Sequence, residues 1–237
     1  VVNLETLIGL NSAEATKNYL TGLSGVKNWA SLGASGFNGN FDGNGVTIYG
    51  LYAVGTTASQ DIGLFPRYDG GYKDGNGNVV ANVCKNIAVK NSYLYSMRRV
   101  GVISGASWGS GYDGKIDGIV RYDTIAVVNC YISTVGNQNF YNEQGVVVDG
   151  GAGDVSILNN VLVSGNYGFN TELNKKLGVM AANNNNGVKE STGELVKGSI
   201  SNSIILGTDP FRKDCYSDMV FYNVNQDGKT VRTFFML

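Results

Sequence analysis

Two short phrases recur along the chain, and this internal repetition constrains the fold more than any other feature of the sequence. The first phrase reads apolar residue or cysteine, any residue, asparagine, any two residues and an aliphatic residue. Its asparagines lie 30 to 43 residues apart, at Asn86, Asn129, Asn159 and Asn202. The second phrase reads glycine, aliphatic residue and apolar residue. It begins at Gly63, Gly101, Gly145 and Gly178, with a degenerate copy at Met219-Val220-Phe221.

The phrases predict short strands that stack in coils. They are rich in Val and Ile and are bounded by Gly, Asn and Ser, which is typical of strands. One such unit cannot bury its own apolar face, whereas stacked units can. The repeats therefore predict an all-β solenoid of about five coils, in which successive coils pair in parallel about 4.8 Å apart. The asparagines are interpreted as coil corners, because Asn tolerates the left-handed backbone and its amide can stack on the next coil.

This alignment of the repeats also predicts the core and the division of the chain. Four aliphatic residues should be buried at equivalent positions: Val89, Ile132, Leu162 and Ile205. Residues 1–30 lack the repeats and predict a short N-terminal cap, since a solenoid has an open apolar end. Residues 31–237 are interpreted as one β-helical unit. The loops after the glycine phrases should lie on one side of the stack.

The segment Gly36–Leu51 is similar to the opening phrase of bacterial GLUG-type repeat surface proteins, and Val127–Tyr131 resembles a repeat element of that family. The resemblance implies a right-handed parallel β-helix, secreted or on the cell surface, that forms part of a larger multidomain chain. The absence of an initiating Met at Val1 also indicates an excised segment. Such segments serve in adhesion or as scaffolds, so the implied partner is an extracellular glycan or a host or cell-surface protein. The family supplies no catalytic residues to transfer.

Composition excludes several classes of function. The 237 residues include no histidine, which excludes Ser-His-Asp and Cys-His catalysis and His-ligated zinc. The net charge of −1 indicates no nucleic-acid partner. No run of 18 apolar residues predicts a membrane span. Three cysteines without a CxxC motif are interpreted as small buried apolar residues.

Two glycine-rich loops combine aromatic and polar residues and form a candidate carbohydrate-binding platform. An exposed aromatic ring can cover the apolar face of a sugar while neighbouring polar groups bind its hydroxyls. The candidate residues are Tyr68, Asp69, Tyr72, Trp108, Tyr112 and Asp113. The alternative is that these rings pack the loops onto the stack.

A second candidate site is a calcium loop at Asp74, Asn76 and Asn78, whose oxygen ligands alternate. Val79 occupies the position where such loops need glycine, and Lys85 replaces the bidentate glutamate. A Gly/Asn turn is therefore the preferred interpretation, and we expect no cofactor, with calcium as the weaker alternative.

The sequence favours a non-enzymatic extracellular β-helix for adhesion or scaffolding, with glycan binding as one form of adhesion. The first alternative is a polysaccharide lyase or related carbohydrate-active enzyme on the same fold. Arg98, Arg99 and Arg121 would be its candidate bases, but no acidic cluster accompanies them on a predicted strand. We interpret Arg98 and Arg99 as solvated charges at a strand edge. The second alternative is a passive spacer within a larger surface protein.

Overall fold

The structure is a computed structural model of the chain. It describes residues 3–29, 36–57, 59–76, 79–106, 115–116, 118–134, 143–150, 154–164, 176–182, 186–189, 195–197, 199–205, 221–224 and 230–233. Two helices open this part of the chain, α1 (Leu4–Gly9) and α2 (Ala13–Thr21). Asn3 caps α1 by accepting from the backbone of Glu5 and Thr6, and Ser12 caps α2 by accepting from Ala15.

Strands make up most of the remaining described residues. They are β1 (Phe41–Tyr49), β2 (Tyr52–Val54), β3 (Asp61–Ile62), β4 (Tyr72–Lys73), β5 (Val79–Val80), β6 (Asn82–Lys90), β7 (Tyr93–Ser96), β8 (Arg99–Gly101), β9 (Lys115–Ile116), β10 (Gly118–Val128), β11 (Tyr131–Thr134), β12 (Glu143–Gly150), β13 (Asp154–Ser164), β14 (Lys176–Ala182), β15 (Asn186–Lys189), β16 (Leu195–Lys197), β17 (Ser199–Ser201), β18 (Ile204–Ile205), β19 (Phe221–Val224) and β20 (Thr230–Thr233). The prediction of an all-β chain with little helix is confirmed.

Three sheets dominate the fold, and all but one of their pairings are parallel. Sheet I has the order β1-β6-β10-β13-β17, with β18 also paired to β13. Sheet II has the order β2-β7-β11, and sheet III has the order β3-β8-β12-β14-β19, with β20 added antiparallel at its edge. The chain visits the sheets in the same sequence, so each strand lies beside the equivalent strand of the previous passage.

We call each passage a rung. Rung 1 contains β1–β3, rung 2 contains β6–β8, rung 3 contains β10–β12, rung 4 contains β13 and β14, and rung 5 contains β17–β19. Strand β20 follows rung 5, and the other strands lie in connections between rungs. Strands β9 and β15 pair with each other, so the connections that follow Gly101 and Gly178 meet.

The glycine phrase was aligned correctly from sequence. Gly145 pairs in register with both Gly101 and Gly178, and the pairing of Ile62 with Val100 places Gly63 beside Gly101. A Cβ atom on Gly63 would lie 2.6 Å from the carbonyl oxygen of Gly101. At Gly63 the neighbouring backbone therefore leaves no room for a side chain.

The asparagine phrase was aligned incorrectly. Each of rungs 2 and 3 has two left-handed positions five residues apart, at Asn86 and Asn91 and at Thr124 and Asn129. Asn86 and Thr124 follow the register pair Lys85 and Asp123, whereas Asn129 begins the next corner. The sequence alignment therefore matched one corner of rung 2 to the other corner of rung 3. In rung 4 it chose Asn159 instead of the left-handed Asn160, an error of one residue.

That error reverses the predicted orientation of Leu162. Val89 and Ile132 are fully buried as predicted, but Leu162 is 36% exposed. The buried column of sheet I consists of Val89, Val127 and Val163, with Ile205 in register beside Val163. A shift of one residue moves a strand's side chains to the opposite face, which places Leu162 outside. The side chain of Ile205 lies outside the described residues.

Aromatic rings fill the core at rung 1. The Phe65 ring centroid lies 5.1 Å from those of both Phe37 and Phe41 and 4.9 Å from that of Tyr68. Phe37 also pairs with Tyr68 at the edge of rung 1, where its amide donates to Arg67 O and its carbonyl accepts from Asp69 N. The backbone of Phe37 is therefore hydrogen-bonded along this edge of rung 1, and the aromatic rings pack beneath it.

The helices lie along the flank of the sheets and cross several rungs. Leu7 and Leu20 are buried beneath them. The side chain of Asn91 in rung 2 donates to Leu7 O, and the side chain of Asn129 in rung 3 donates to Leu10 O at 2.8 Å. A cap on the open end was predicted for residues 1–30, and this stays a prediction. Among the described residues of this segment, Asn28 and Trp29 bond to rung 1, at strand β2 and at Leu64 O.

Candidate functional site

Tyr68 is not available to a ligand, which corrects its assignment to an exposed platform. Its ring is fully buried and packs edge-on against Phe65. Its hydroxyl donates to the carbonyl oxygens of Gly39 at 2.7 Å and Val83 at 3.1 Å, and burial raises its pKa. Tyr68 is a core residue whose hydroxyl contacts backbone carbonyls on the rung 1 side, at Gly39, and in rung 2, at Val83.

The other platform residues are only partly described. Asp69 has a side chain that is 14% exposed, and its Oδ1 accepts from Arg67 Nε at 2.5 Å. Tyr72 belongs to β4, which pairs antiparallel with β5, but its side chain lies outside the described residues. The same is true of Trp108, Tyr112 and Asp113 as a whole. Their role in carbohydrate binding stays a prediction.

The candidate calcium loop forms a local turn at its first residues. Asp74 Oδ1 accepts from the backbone N of Asn76 at 2.9 Å, the geometry of an Asx turn. Asn78 lies outside the described residues. Within the described ranges no three acidic or cysteine side chains come together as a metal-binding group.

A row of polar side chains crosses the outer face of sheet I from rung to rung. In register from rung 1 to rung 5 it contains Asp42, Lys85, Asp123, Asn159 and Ser201. Lys85 Nζ lies 3.3 Å from Asp42 Oδ2, and Asn159 Nδ2 donates to Asp123 Oδ1 at 3.2 Å. We call these five residues the outer polar row. It links neighbouring rungs on the solvent side.

A second row lies beside the first and consists of left-handed residues. Asn86, Thr124, Asn160 and Asn202 have φ between 49° and 57°. Asn86 Nδ2 donates to Asp42 Oδ1 at 3.0 Å, and Asn160 Nδ2 donates to Asp123 Oδ1 at 3.0 Å. We call these four residues the bulge row. Hydrogen bonds from Asn44 N and Asn86 and the ion pair with Lys85 lower the pKa of Asp42 below its usual value.

Beside the bulge row runs a shallow groove of about 340 Å³. Its floor is formed by the outward methyl groups of Ala88 and Ala126 and by the backbone of the intervening strands. Asn86, Thr124 and Asn160 form one rim. Gly45 lies at the rung 1 end and Leu162 at the rung 4 end. The complete set of lining residues is Gly45, Asn86, Ile87, Ala88, Thr124, Ile125, Ala126, Asn160 and Leu162. The groove is a concave feature of the outer face of sheet I.

Sequence reasoning missed this groove. The signal that could have found it is the pair of alanines, each two residues after the bulge row, at Ala88 and Ala126. Once the bulge row is correctly aligned, small residues occupy one outward column in two consecutive rungs. The misplacement of the rung 3 corner at Asn129 hid that coincidence.

Arg99 corrects a further expectation. It was interpreted as a solvated charge, but its side chain is 2% exposed. Its Nε and Nη2 donate to the two carboxylate oxygens of Asp61 at 2.9 and 3.0 Å, and Arg98 Nη1 lies 3.6 Å from Asp61 Oδ2. The backbone register continues from Arg99 to Glu143 and Lys176, so residue types of alternating charge are aligned in one column of sheet III, the charged column. The buried Arg99–Asp61 pair holds two rungs together.

The thiols and a row of tyrosines are likewise structural. Burial raises the pKa of both Cys84 and Cys130 to about 12, so neither is a reactive thiolate near neutral pH. On the outer face of sheet II the rings of Tyr52, Tyr93 and Tyr131 stack with centroids 5.7 and 5.4 Å apart. Helix α2 covers the end of this stack, because Lys17 Nζ lies 4.9 Å from the Tyr131 ring centroid.

Comparison with known proteins found no match among family models, curated proteins or solved structures. Neither helix in the described part of the chain has the length and hydropathy that crossing a bilayer requires.

Proposed function

We propose that the chain is a right-handed parallel β-helix of about five coils that serves in adhesion or as a scaffold at the cell surface or outside the cell, without catalytic activity. The observation that carries this proposal is the repetition of side-chain rows across rungs. The outer polar row, the bulge row and the charged column of sheet III each join consecutive rungs in register. A stack of this kind presents a long, regular surface rather than a single cleft.

The similarity of Gly36–Leu51 to the opening phrase of GLUG-type surface proteins supports the same proposal and suggests the compartment. It also suggests that the chain is one segment of a larger surface protein. The partner would then be a glycan or a protein outside the cell.

The ionisable side chains of the described residues support a binding role over catalysis. Asp61 is engaged by two arginines, Asp42 by Lys85, and Asp69 by Arg67. Polysaccharide hydrolysis requires two carboxylates that face one cleft, and elimination requires a base beside a bound uronate. Neither arrangement is present among these pairs.

The experiment that tests the proposal exposes neutral and uronic polysaccharides to the purified chain, with and without calcium. Binding is measured on immobilised polysaccharide and on bacterial and host-cell surfaces. Product formation is followed by reducing ends and by absorbance of unsaturated uronates. We expect retention on at least one surface and no turnover. Sustained product formation would favour the carbohydrate-active enzyme, and no retention on any surface would favour the passive spacer.

A further inference from the structure

The groove on the outer face of sheet I owes its shape to one column of side chains. In register from rung 1 to rung 5 this column contains Thr47, Ala88, Ala126, Leu162 and Ile204. The two methyl groups in rungs 2 and 3 leave a depression that the larger Leu162 closes in rung 4. The groove therefore runs across the strands and has a defined end.

The rim supplies hydrogen-bonding groups at the spacing of the rungs. Asn86 and Asn160 direct their amide nitrogens at the carboxylates of Asp42 and Asp123. Each amide therefore turns its oxygen away from that carboxylate, where it can accept a hydrogen bond. Thr124 lies between them and adds a hydroxyl. An apolar floor beside such acceptors matches a ligand with one apolar face and several hydroxyl groups.

The groove carries no charge of its own. None of the nine described residues that line it is ionisable. On the side of the bulge row the nearest ionised groups are Asp42, which pairs with Lys85, and Asp123, which accepts hydrogen bonds from the amides of Asn159 and Asn160. Two carboxylates therefore stand beside this rim and no cation is among the lining residues, so the groove favours a neutral ligand over a polyanion.

The dimensions favour a chain of sugar rings. Three strand spacings separate Gly45 in rung 1 from Leu162 in rung 4, about 14 Å, which is long enough for roughly two or three pyranose rings in line. A pyranose ring in an extended chain has nearly the length of one rung spacing. The groove crosses the strands and offers no free strand edge, so a peptide could not add to the sheet there.

We propose that this groove binds a neutral, linear glycan, with the apolar faces of its rings on Ala88 and Ala126 and its hydroxyls donating to Asn86, Thr124 and Asn160. The inference rests on the proposed adhesive function and specifies its ligand and its site. The residues that line the groove include none of the residues of the predicted carbohydrate platform. Because the groove is shallow, we expect dissociation constants of about micromolar to millimolar.

The test uses Ala126→Leu, which gives rung 3 the residue that rung 4 already carries at this column. The fold therefore has a precedent for the larger side chain, while the groove is filled. Val128→Leu is the matched control, because Val128 lies two residues further along the same face of β10 and does not line the groove. Circular dichroism and thermal unfolding of both variants check that the fold is kept.

Binding is measured on an array of oligosaccharides from cellulose, xylan, mannan and chitin, with polygalacturonate and alginate for comparison, and then by calorimetry at low and high salt. We expect the full chain to bind at least one neutral glycan with little dependence on salt, since no ion pair is involved. Ala126→Leu should weaken that binding about tenfold or more, and Val128→Leu less than about twofold.

The binding measurements would overturn the inference if no neutral glycan on the array bound, if the anionic polymers alone bound, or if Ala126→Leu and the unaltered chain had equal affinity. Self-association that Ala126→Leu abolishes would also overturn it, because the groove would then be an interface between copies. Equal affinity of the variant leaves the adhesive function standing with its site elsewhere. Catalytic turnover, in contrast, would remove the proposed function itself.

Discussion

Two sets of left-handed asparagines cross the rungs, one exposed and one covered. Asn86 and Asn160 of the bulge row lie on the outer face of sheet I and bond to carboxylates at the surface. Asn91 and Asn129 lie at the next corner, both 4% exposed. Asn129 Nδ2 lies within hydrogen-bonding distance of Asn91 Oδ1 at 2.8 Å, Leu10 O at 2.8 Å and Thr16 Oγ1 at 3.2 Å.

The ion pairs repeat this contrast. Arg99–Asp61 is buried and bidentate, whereas Lys85 and Asp42 have side chains that are 46% and 48% exposed. The comparison teaches that residue type and backbone conformation alone do not decide what such a row does. In the covered rows an unpaired polar group would lower the free energy of unfolding, so each buried group keeps its partner. These hydrogen bonds and ion pairs hold neighbouring rungs together and hold the helices on the sheets. The exposed rows stay available to solvent or ligand.

The largest effect should come from Arg99→Ala. It leaves the buried Asp61 carboxylate without its bidentate partner, so we expect a loss of about 3–5 kcal/mol in the free energy of unfolding. Urea denaturation measures it. Lys85→Ala, the exposed counterpart, should leave the midpoint almost unchanged. The double variant Asp61→Leu with Arg99→Leu should recover most of the lost free energy of unfolding. Equal urea midpoints for Arg99→Ala and Lys85→Ala would contradict the difference between the buried and the exposed ion pair.

A smaller effect is expected for Asn129→Gly. Glycine keeps the left-handed backbone but removes the amide that serves Leu10 O and Asn91, which should cost about 1–3 kcal/mol. Asn160→Gly removes one exposed hydrogen bond at the same φ and should change stability far less. Hydrogen exchange of the α2 amides gives a second readout, and it should accelerate only in Asn129→Gly. If Asn129→Gly and Asn160→Gly lower the free energy of unfolding equally, burial under the N-terminal helices does not explain the difference between the covered and the exposed asparagines.

Thr124→Asn should stabilise the protein. Thr124 has φ of 55°, which is unfavourable for a β-branched residue, and rungs 2 and 4 have asparagine in its place. Relief of this conformation should raise the free energy of unfolding by about 0.5–1 kcal/mol, measured by the urea midpoint. Thr124→Val is the control, since it keeps a β-branched side chain at this φ and loses the hydroxyl. A lower midpoint for Thr124→Asn would show that the hydroxyl matters more than the backbone.

The smallest effect should be the acid dependence that Asp42 adds. Its pKa is lowered in the folded chain from the ordinary 3.8, so its stabilising contribution is present above that value and is lost as pH falls through the lowered pKa. Asp42→Asn should therefore show a slightly smaller difference between urea midpoints at about pH 6 and about pH 3. A larger acid dependence in the variant would contradict the sign of the shift.

The stacked parallel strands and the glycine register could be predicted because sterics allow little choice. At Gly63 a side chain would collide with the backbone of the adjacent rung, so glycine is required there and marks the repeat in the sequence. The asparagine register could not be predicted from the sequence. Rung 2 has asparagine at both of its left-handed corners, and rung 3 has Thr124 in place of one of these asparagines. In rung 4 two adjacent asparagines, Asn159 and Asn160, could each be aligned with the corner. The two alignments differ by one residue, and this difference decides which face of the sheet Leu162 occupies.

Two individual residues, Tyr68 and Arg99, were predicted to be exposed and are buried, for a related reason. Tyr68 and Arg99 look like surface residues by type and by their glycine-rich or strand-edge surroundings. Their burial depends on partners far along the chain, Gly39 for the tyrosine and Asp61 for the arginine. Local patterns carry no information about such partners. The groove needed the same long-range register, since it exists only when Ala88 and Ala126 lie side by side.

The N-terminal segment has a consequence for how the stack comes apart. In a repeat array each unit touches only its neighbours, so the ends can open one unit at a time. Here the segment from Leu7 to Trp29 bonds to Tyr52 of rung 1, Asn91 of rung 2 and Asn129 of rung 3. It acts as a strap that couples units which are not neighbours. We therefore expect rungs 1–3 to open together as one cooperative block, so that tension applied at this end meets a single threshold instead of a series of small ones.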